Sequence, residues 1–116
     1  MKKKRCQYFS QNEIQVYHMI DLILVNNTED KQYEIATGDQ IAKIEYIRAG
    51  NKIYLTHTEV PLSLKGKGIG SQLVKLVLED IEQKDLTLIP LCPFVAGYIK
   101  DHPQWRRLVL KGINIR

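Results

Sequence analysis

At Lys65-Gly66-Lys67-Gly68-Ile69-Gly70 the hydrophobic period of the chain changes, and that change constrains the fold more than any other feature. Upstream, residues 41–47 and 53–60 alternate apolar and polar side chains, the period of strands with one buried face. Downstream, Ile69, Leu73, Leu76, Val77 and Ile81 recur at helical spacing, with Gln72, Lys75, Glu79, Asp80 and Glu82 mostly opposite them. This predicts an amphipathic helix over residues 71–84. The nearly all-apolar Leu86-Thr87-Leu88-Ile89-Pro90 follows, as expected of a strand covered on both faces. Strand, helix, strand makes the two strands parallel neighbours through a right-handed crossover.

Before that unit, the apolar run 20–25 ends at Asn26-Asn27-Thr28, and residues 33–36 form a second short strand before the turn Thr37-Gly38-Asp39. With Ala49-Gly50-Asn51-Lys52 as a third turn, the connections are hairpin-like and imply an antiparallel meander. Short helices are expected over residues 95–100 and 103–110. The predicted fold class is α/β (α+β): a mixed sheet, antiparallel meander plus one parallel strand, with helices packed on it.

The length of 116 residues fits one domain, burying about two-thirds of its unfolded surface. The formal charge of +4 equals the contribution of Lys2, Lys3, Lys4 and Arg5 alone, so the rest of the chain is near neutral. Residues 1–18 lack sustained periodicity and are expected to be a flexible extension, leaving 19–116 as the domain. No apolar stretch approaches the roughly 20 residues of a spanning helix and no signal-peptide core precedes the domain, so a cytoplasmic protein without a membrane partner is expected. Cys6 and Cys92 are too isolated for a disulfide framework, and no Cys or His cluster suggests a metal. Nucleic-acid binding would rest on the basic run alone, since the domain lacks a basic face rich in aromatics; it is not expected.

Three glycines at alternate positions before a helix leave backbone N–H groups uncovered beside the positive end of the helix dipole, and Lys65 and Lys67 add charge there. Such a turn suits a phosphate. A tight connection is its alternative reading.

The segments Leu55-Thr-His-Thr-Glu-Val-Pro61, Lys65-Gly-Lys-Gly-Ile-Gly70, Ile89-Pro-Leu-Cys-Pro-Phe-Val95 and Tyr98 to Trp105 together resemble the small, single-domain branch of the GNAT superfamily of acyl-coenzyme A-dependent N-acyltransferases. The resemblance covers about residues 33–108. It implies acetyl-CoA as co-substrate, with no metal, and transfer of the acetyl group to a primary amine on a small molecule or protein. It aligns Lys65, Gly66, Lys67, Gly68, Ile69 and Gly70 with the pyrophosphate loop, whose first position is ordinarily Gln or Arg; lysine keeps the charge without the planar fork. It sets Thr58 and Val60 beside the pantetheine arm, and His57 and Cys92 near the thioester.

Cys92 then suits either a covalent acetyl carrier or a wall of the thioester pocket. As a nucleophile beside a histidine or a helix N-terminus it would be reactive and protected by CoA. His57 suits a general base, acting on the incoming ammonium or on Cys92, and Glu59 is an alternative base. Strict alternation would put His57 and Glu59 on one face with Leu55, and Tyr54, Thr56 and Thr58 on the other. Without the resemblance, Cys92 and His57 read equally as packing and hydrogen-bonded strand residues. His102 before Pro103 reads as a helix terminator and Trp105 as a core anchor, while Tyr98 is either packing or an acid for the departing sulfur. Two functions compete: an acetyltransferase, and a CoA-binding or acyl-CoA-binding module with little turnover. The acceptor and the oligomeric state are not written in the sequence.

Overall fold

The computed structural model describes residues 22–115, so the expected extension at 1–18 lies outside the described residues. Five strands form one sheet in the order β1-β2-β3-β4-β5. They are β1 Leu24–Asn27, β2 Gln32–Thr37, β3 Gln40–Ala49, β4 Lys52–Glu59 and β5 Thr87–Pro90. Neighbours are antiparallel from β1 to β4, and β5 runs parallel to β4. Between them, α1 (Ile69–Gln83) makes the crossover. A second helix, α2 (Pro93–Asp101), follows β5.

The apolar stripe of α1 is wider than the spacing suggested. Leu73, Val74, Val77, Leu78 and Ile81 are all fully buried, whereas Leu76 is only partly so. Each such side chain contributes about 1.5–3 kcal/mol relative to exposure, so this face anchors the helix to the sheet. The sheet answers with Tyr33, Ile35, Ala42, Ile44, Ile53 and Leu55 on its inner face. One polar tie crosses the contact: the Tyr33 hydroxyl donates to Asp80 Oδ2 at 2.7 Å, and Lys84 Nζ donates to the same oxygen at 2.7 Å.

Both α-helices begin two residues before the expected start, and two other elements differ more. β1 is displaced toward the C-terminus because Asn26 and Asn27 pair with Tyr33 and Gln32 instead of turning. The turn falls on Thr28 to Lys31, where Lys31 has φ 55° and the Asn27 side chain accepts the Asp30 N–H and donates to the Asp30 carboxylate. The last expected helix is a 3-10 segment, Pro103–Leu108. The chain then extends, and Val109 bridges to Leu88 in parallel, prolonging the sheet edge beyond β5.

The feature that matters most for the site is a bulge in β4. Tyr46 stands opposite Leu55, but Glu45 stands opposite His57, so Thr56 is an extra residue in the ladder. Its Oγ1 donates to the Glu45 carbonyl at 3.2 Å, tying the bulge to β3. Beyond it the side chains change face: Thr58 lies opposite the fully buried Ile44, and Glu59 opposite Lys43. Strict alternation therefore fails here. His57 and Glu59 do share a face, as expected, but it is the outer one. Leu55 faces the core, and Thr58 joins it there.

Candidate functional site

β4 and β5 stay paired only as far as Leu55 and Pro90. Pro90 has no N–H to continue the ladder. The Leu55 carbonyl instead accepts the N–H groups of Leu91 at 3.0 Å and Cys92 at 2.9 Å, which pins the strands together at one point before they part. Pro93 then opens α2 with Cys92 as its N-cap residue.

Beside Thr58, Val60 and Phe94 lies the Lys65 to Gly70 loop. Gly66 and Gly68 hold φ of 82° and 78°, the left-handed region that glycine enters freely, and a Cβ at either would meet nothing within 4 Å. Gly70 is different: a Cβ there would lie 2.8 Å from Phe94 Cζ and 3.4 Å from Val60 Cγ2. It is glycine because the Phe94 ring packs against the helix. Gly68 is the N-cap of α1 and no side chain caps it. By helix geometry the N–H groups of Ile69, Gly70 and Ser71 have no intrahelical acceptor, so they point out of the helix end.

A cleft of about 500 Å³ lies between these parts, lined by Thr58, Val60, Leu64 and Phe94 and, from the loop, by Lys65, Gly66, Gly68, Ile69, Gly70 and Ser71; Lys67, expected there, is not part of the lining. Loop donors and Lys65 mark one region of the lining, Val60 and Phe94 supply apolar surface, and Thr58 is backed by Cys92. Such a set fits a long ligand with a polyanionic head and a thin, mostly apolar arm. A second groove, of about 610 Å³, is lined by Ile41, Lys43, Glu59, Pro61 and Leu62, and it shares Thr58, Val60 and Lys65 with the first.

Cys92 is a free cysteine, 4% exposed, and its thiol donates to Thr58 Oγ1 at 3.1 Å. His57 is exposed on the outer face, in register with Glu45. The two residues expected to work together therefore leave the sheet on opposite sides, and the geometry gives no His57–Cys92 relay. Burial also opposes the high reactivity expected of the thiol. Glu59, on the same outer face, lies 3.5 Å from Lys43 Nζ, which Glu45 holds more closely at 3.1 Å. These contacts, the Glu45 hydrogen bond foremost, raise the Lys43 pKa despite an opposing effect of burial.

His102 ends α2 as its place before Pro103 predicts: its N–H donates to the Tyr98 and Ile99 carbonyls. Its ring stacks on Tyr98 with centroids 4.1 Å apart. Tyr98 lines neither groove, and burial, then the charge of Glu79, raises its pKa. Trp105 is 8% exposed within the core, with the Arg107 guanidinium 5.1 Å from its ring centroid. Among the described residues no group of three or more His, Cys, Asp or Glu side chains is placed to hold a metal, and no helix is long and apolar enough to cross a membrane. Sequence reasoning missed Phe94, Leu64 and Ser71. Pro93 was the available signal for Phe94, since a proline at the first helical position directs the next residue into the first turn.

The family model of the GCN5-related N-acetyl-transferases matches residues 32–108, more than half of the chain. Protein NATD1 of Homo sapiens is 35% identical over 63 residues, 53% of this chain and 56% of that protein. Protein NATD1 of Danio rerio is 31% identical over 72 residues, 60% of this chain and 66% of that protein. The match thus spans only part of the length of these relatives. Among solved structures, a GCN5-like candidate N-acetyltransferase from Staphylococcus aureus superposes with a TM-score of 0.62 at 25% identity, covering 81% of this chain and 92% of that one. The mixed sheet of five strands with its packed helices matches the fold of that solved structure, and the chain belongs to the GCN5-related N-acetyltransferase family.

Proposed function

We propose that the protein is an acetyl-CoA-dependent N-acetyltransferase acting on a primary amine. The observation that carries this reading is the bare loop at Gly66 and Gly68, where no Cβ position is occupied and the helix end faces a cleft walled by the end of β4 and by Phe94 of α2. The N–H groups of Ile69, Gly70 and Ser71, with the Lys65 ammonium, hold the pyrophosphate, and Lys67 adds charge nearby without lining the cleft. Val60 and Phe94 flank the pantetheine arm, and Thr58 meets the thioester end. When bound, acetyl-CoA supplies an activated acetyl group: the amine nitrogen forms a C–N bond as the C–S bond breaks, one ammonium proton having gone to a base and the second ending on the CoA thiol.

Glu59 and His57 are the bases on offer, and both serve an amine that arrives from the outer face. The bond between Cys92 and Thr58 gives the thiol a part in shaping the end of the cleft, which favours direct transfer over a covalent acetyl-cysteine. One observation favours the second reading, a CoA-binding module with little turnover: no carboxylate or imidazole lines the donor cleft itself. Calorimetry with CoA and amine-dependent release of CoA thiol from acetyl-CoA separate the two. Binding with turnover that Glu59→Gln or His57→Ala abolishes supports the transferase. Binding without turnover on any amine leaves the module, and absence of CoA binding ends both.

A further inference from the structure

The bulge in β4 turns one hydroxyl toward the donor cleft, and the proton of that hydroxyl is uncommitted. Thr58 lines the cleft, and its Oγ1 accepts a hydrogen bond from the Cys92 thiol at 3.1 Å. A hydroxyl has one proton and two lone pairs. With one lone pair taken by the thiol, the proton must point elsewhere, and among the described residues no acceptor takes it. Both partners are held by their main chains. Cys92 donates its N–H to the Leu55 carbonyl at 2.9 Å and accepts that of Ala96 at 3.0 Å, while Thr58 pairs with Ile44 of β3. The thiol is only 4% exposed, so the bond is shielded from water. Of the side-chain donors that line the cleft, Lys65 and Ser71 belong to the loop and the first turn of α1, and Thr58 comes from β4.

We infer that the Thr58 hydroxyl donates a hydrogen bond to the carbonyl oxygen of the bound thioester, and that Cys92 is a positioning residue that keeps this proton facing the cleft. The inference rests on the acetyl-CoA reading of the cleft. A donor fixed where negative charge develops as the amine attacks stabilises the transition state more than the ground state. It also gives the buried thiol a part in direct transfer in which the sulfur forms no bond to the acetyl group.

The test uses the full chain in its binary complex with acetyl-CoA isotope-labelled at the carbonyl, so it needs no amine. Infrared difference spectroscopy reads the hydrogen bond as a shift of the carbonyl stretch to lower wavenumber than in solution. The parent protein is expected to show the shift, Thr58→Val to lose it and Thr58→Ser to keep it. Calorimetry is expected to find Thr58→Val weaker for acetyl-CoA by about fivefold, as loss of one neutral hydrogen bond implies, and unaltered for S-ethyl-CoA, which has no carbonyl. Cys92→Ala keeps the hydroxyl but frees its rotation, so the band broadens and moves part of the way back, and Cys92→Ser restores it. In a Thr58→Val background Cys92→Ala changes nothing, because the thiol acts only through Thr58. An unshifted band in the parent, a band indifferent to Thr58→Val, or an equal effect of Cys92→Ala with and without Thr58 overturns the inference. Turnover with an unshifted band sinks the hydroxyl donor and spares the acetyltransferase. A shifted band without turnover on any amine does the reverse, and absence of acetyl-CoA binding ends both.

Discussion

Two positions of one loop are glycine for different physical reasons, and alanine separates them. At Gly68 the backbone holds φ 78° with open space around the Cβ position, so Gly68→Ala meets no steric neighbour but must sit in the left-handed region. That costs about 1–2 kcal/mol, or about 4–8 °C of melting temperature per kcal/mol for a domain of this size. At Gly70 the backbone is helical and alanine gains up to about 1 kcal/mol of helix propensity. Against this stands a contact of 2.8 Å to the tip of the Phe94 ring, which is 45% exposed and can swing aside. The two effects nearly cancel, and Gly70→Ala should fall within about 0.5 kcal/mol of the parent protein. The ring swings into the cleft, however, so CoA binding weakens even though stability does not. Removing the ring isolates the contact: in a Phe94→Ala background, Gly70→Ala should stabilise by about 1 kcal/mol, the helix gain without the clash. Urea denaturation of the four proteins of this cycle and of Gly68→Ala, with calorimetry of CoA binding, gives every comparison needed. If Gly70→Ala destabilises more than Gly68→Ala, or if its effect is the same with and without Phe94, the account of this loop is wrong.

Tyr33 is held neutral in the folded protein, its pKa raised well above the ordinary 10.0 by burial and then by the bond to Asp80. The unfolded chain loses that proton near pH 10 and the folded one does not, so stability is full below pH 10 and declines as pH rises above it. Tyr33→Phe should cost about 0.5–1.5 kcal/mol at neutral pH and flatten the alkaline decline, as urea denaturation from about pH 8 to about pH 11 will read. Cys92→Ala should retain amine acetylation, and intact-mass measurement after incubation with acetyl-CoA should find no acetyl adduct on the parent protein; an adduct at Cys92 with a dead Cys92→Ala variant would establish the covalent route instead. Iodoacetamide should alkylate native Cys92 more slowly than the urea-unfolded chain, because the thiol is 4% exposed; equal rates would contradict that burial.

The period-two segments and the helix were legible from residue spacing because burial is repetitive there: one face of each strand and one stripe of α1 lie against the same core. The parallel β4–β5 pair followed from chain order alone. What spacing concealed was the bulge. Nothing in Leu55-Thr56-His57-Thr58 breaks the alternation of residue types, since threonine suits either face, and only the pairing with β3 reveals that Thr56 is supernumerary. Every face assignment after that point was therefore inverted relative to Leu55, which separated His57 from Cys92. The glycines were read as one phosphate device; two of them hold left-handed backbone with open space around them, which a phosphate cradle and a tight turn use alike. The third answers to Phe94, a contact across 24 positions that no local pattern carries.

The bulge at Thr56 also bears on the order of events during turnover. Under the proposed reading, successive residues of the strand end face two compartments, with Thr58 turned toward the donor and His57 and Glu59 toward the acceptor. Each ligand then has its own entrance, and neither blocks the other's exit. Such an arrangement predicts a ternary complex that assembles in either order, and intersecting rather than parallel lines in a two-substrate initial-rate plot. It also lets the outer surface around His57 and Glu59 diverge to accept a new amine while the inward side chains, and with them the grip on the donor, stay as they are.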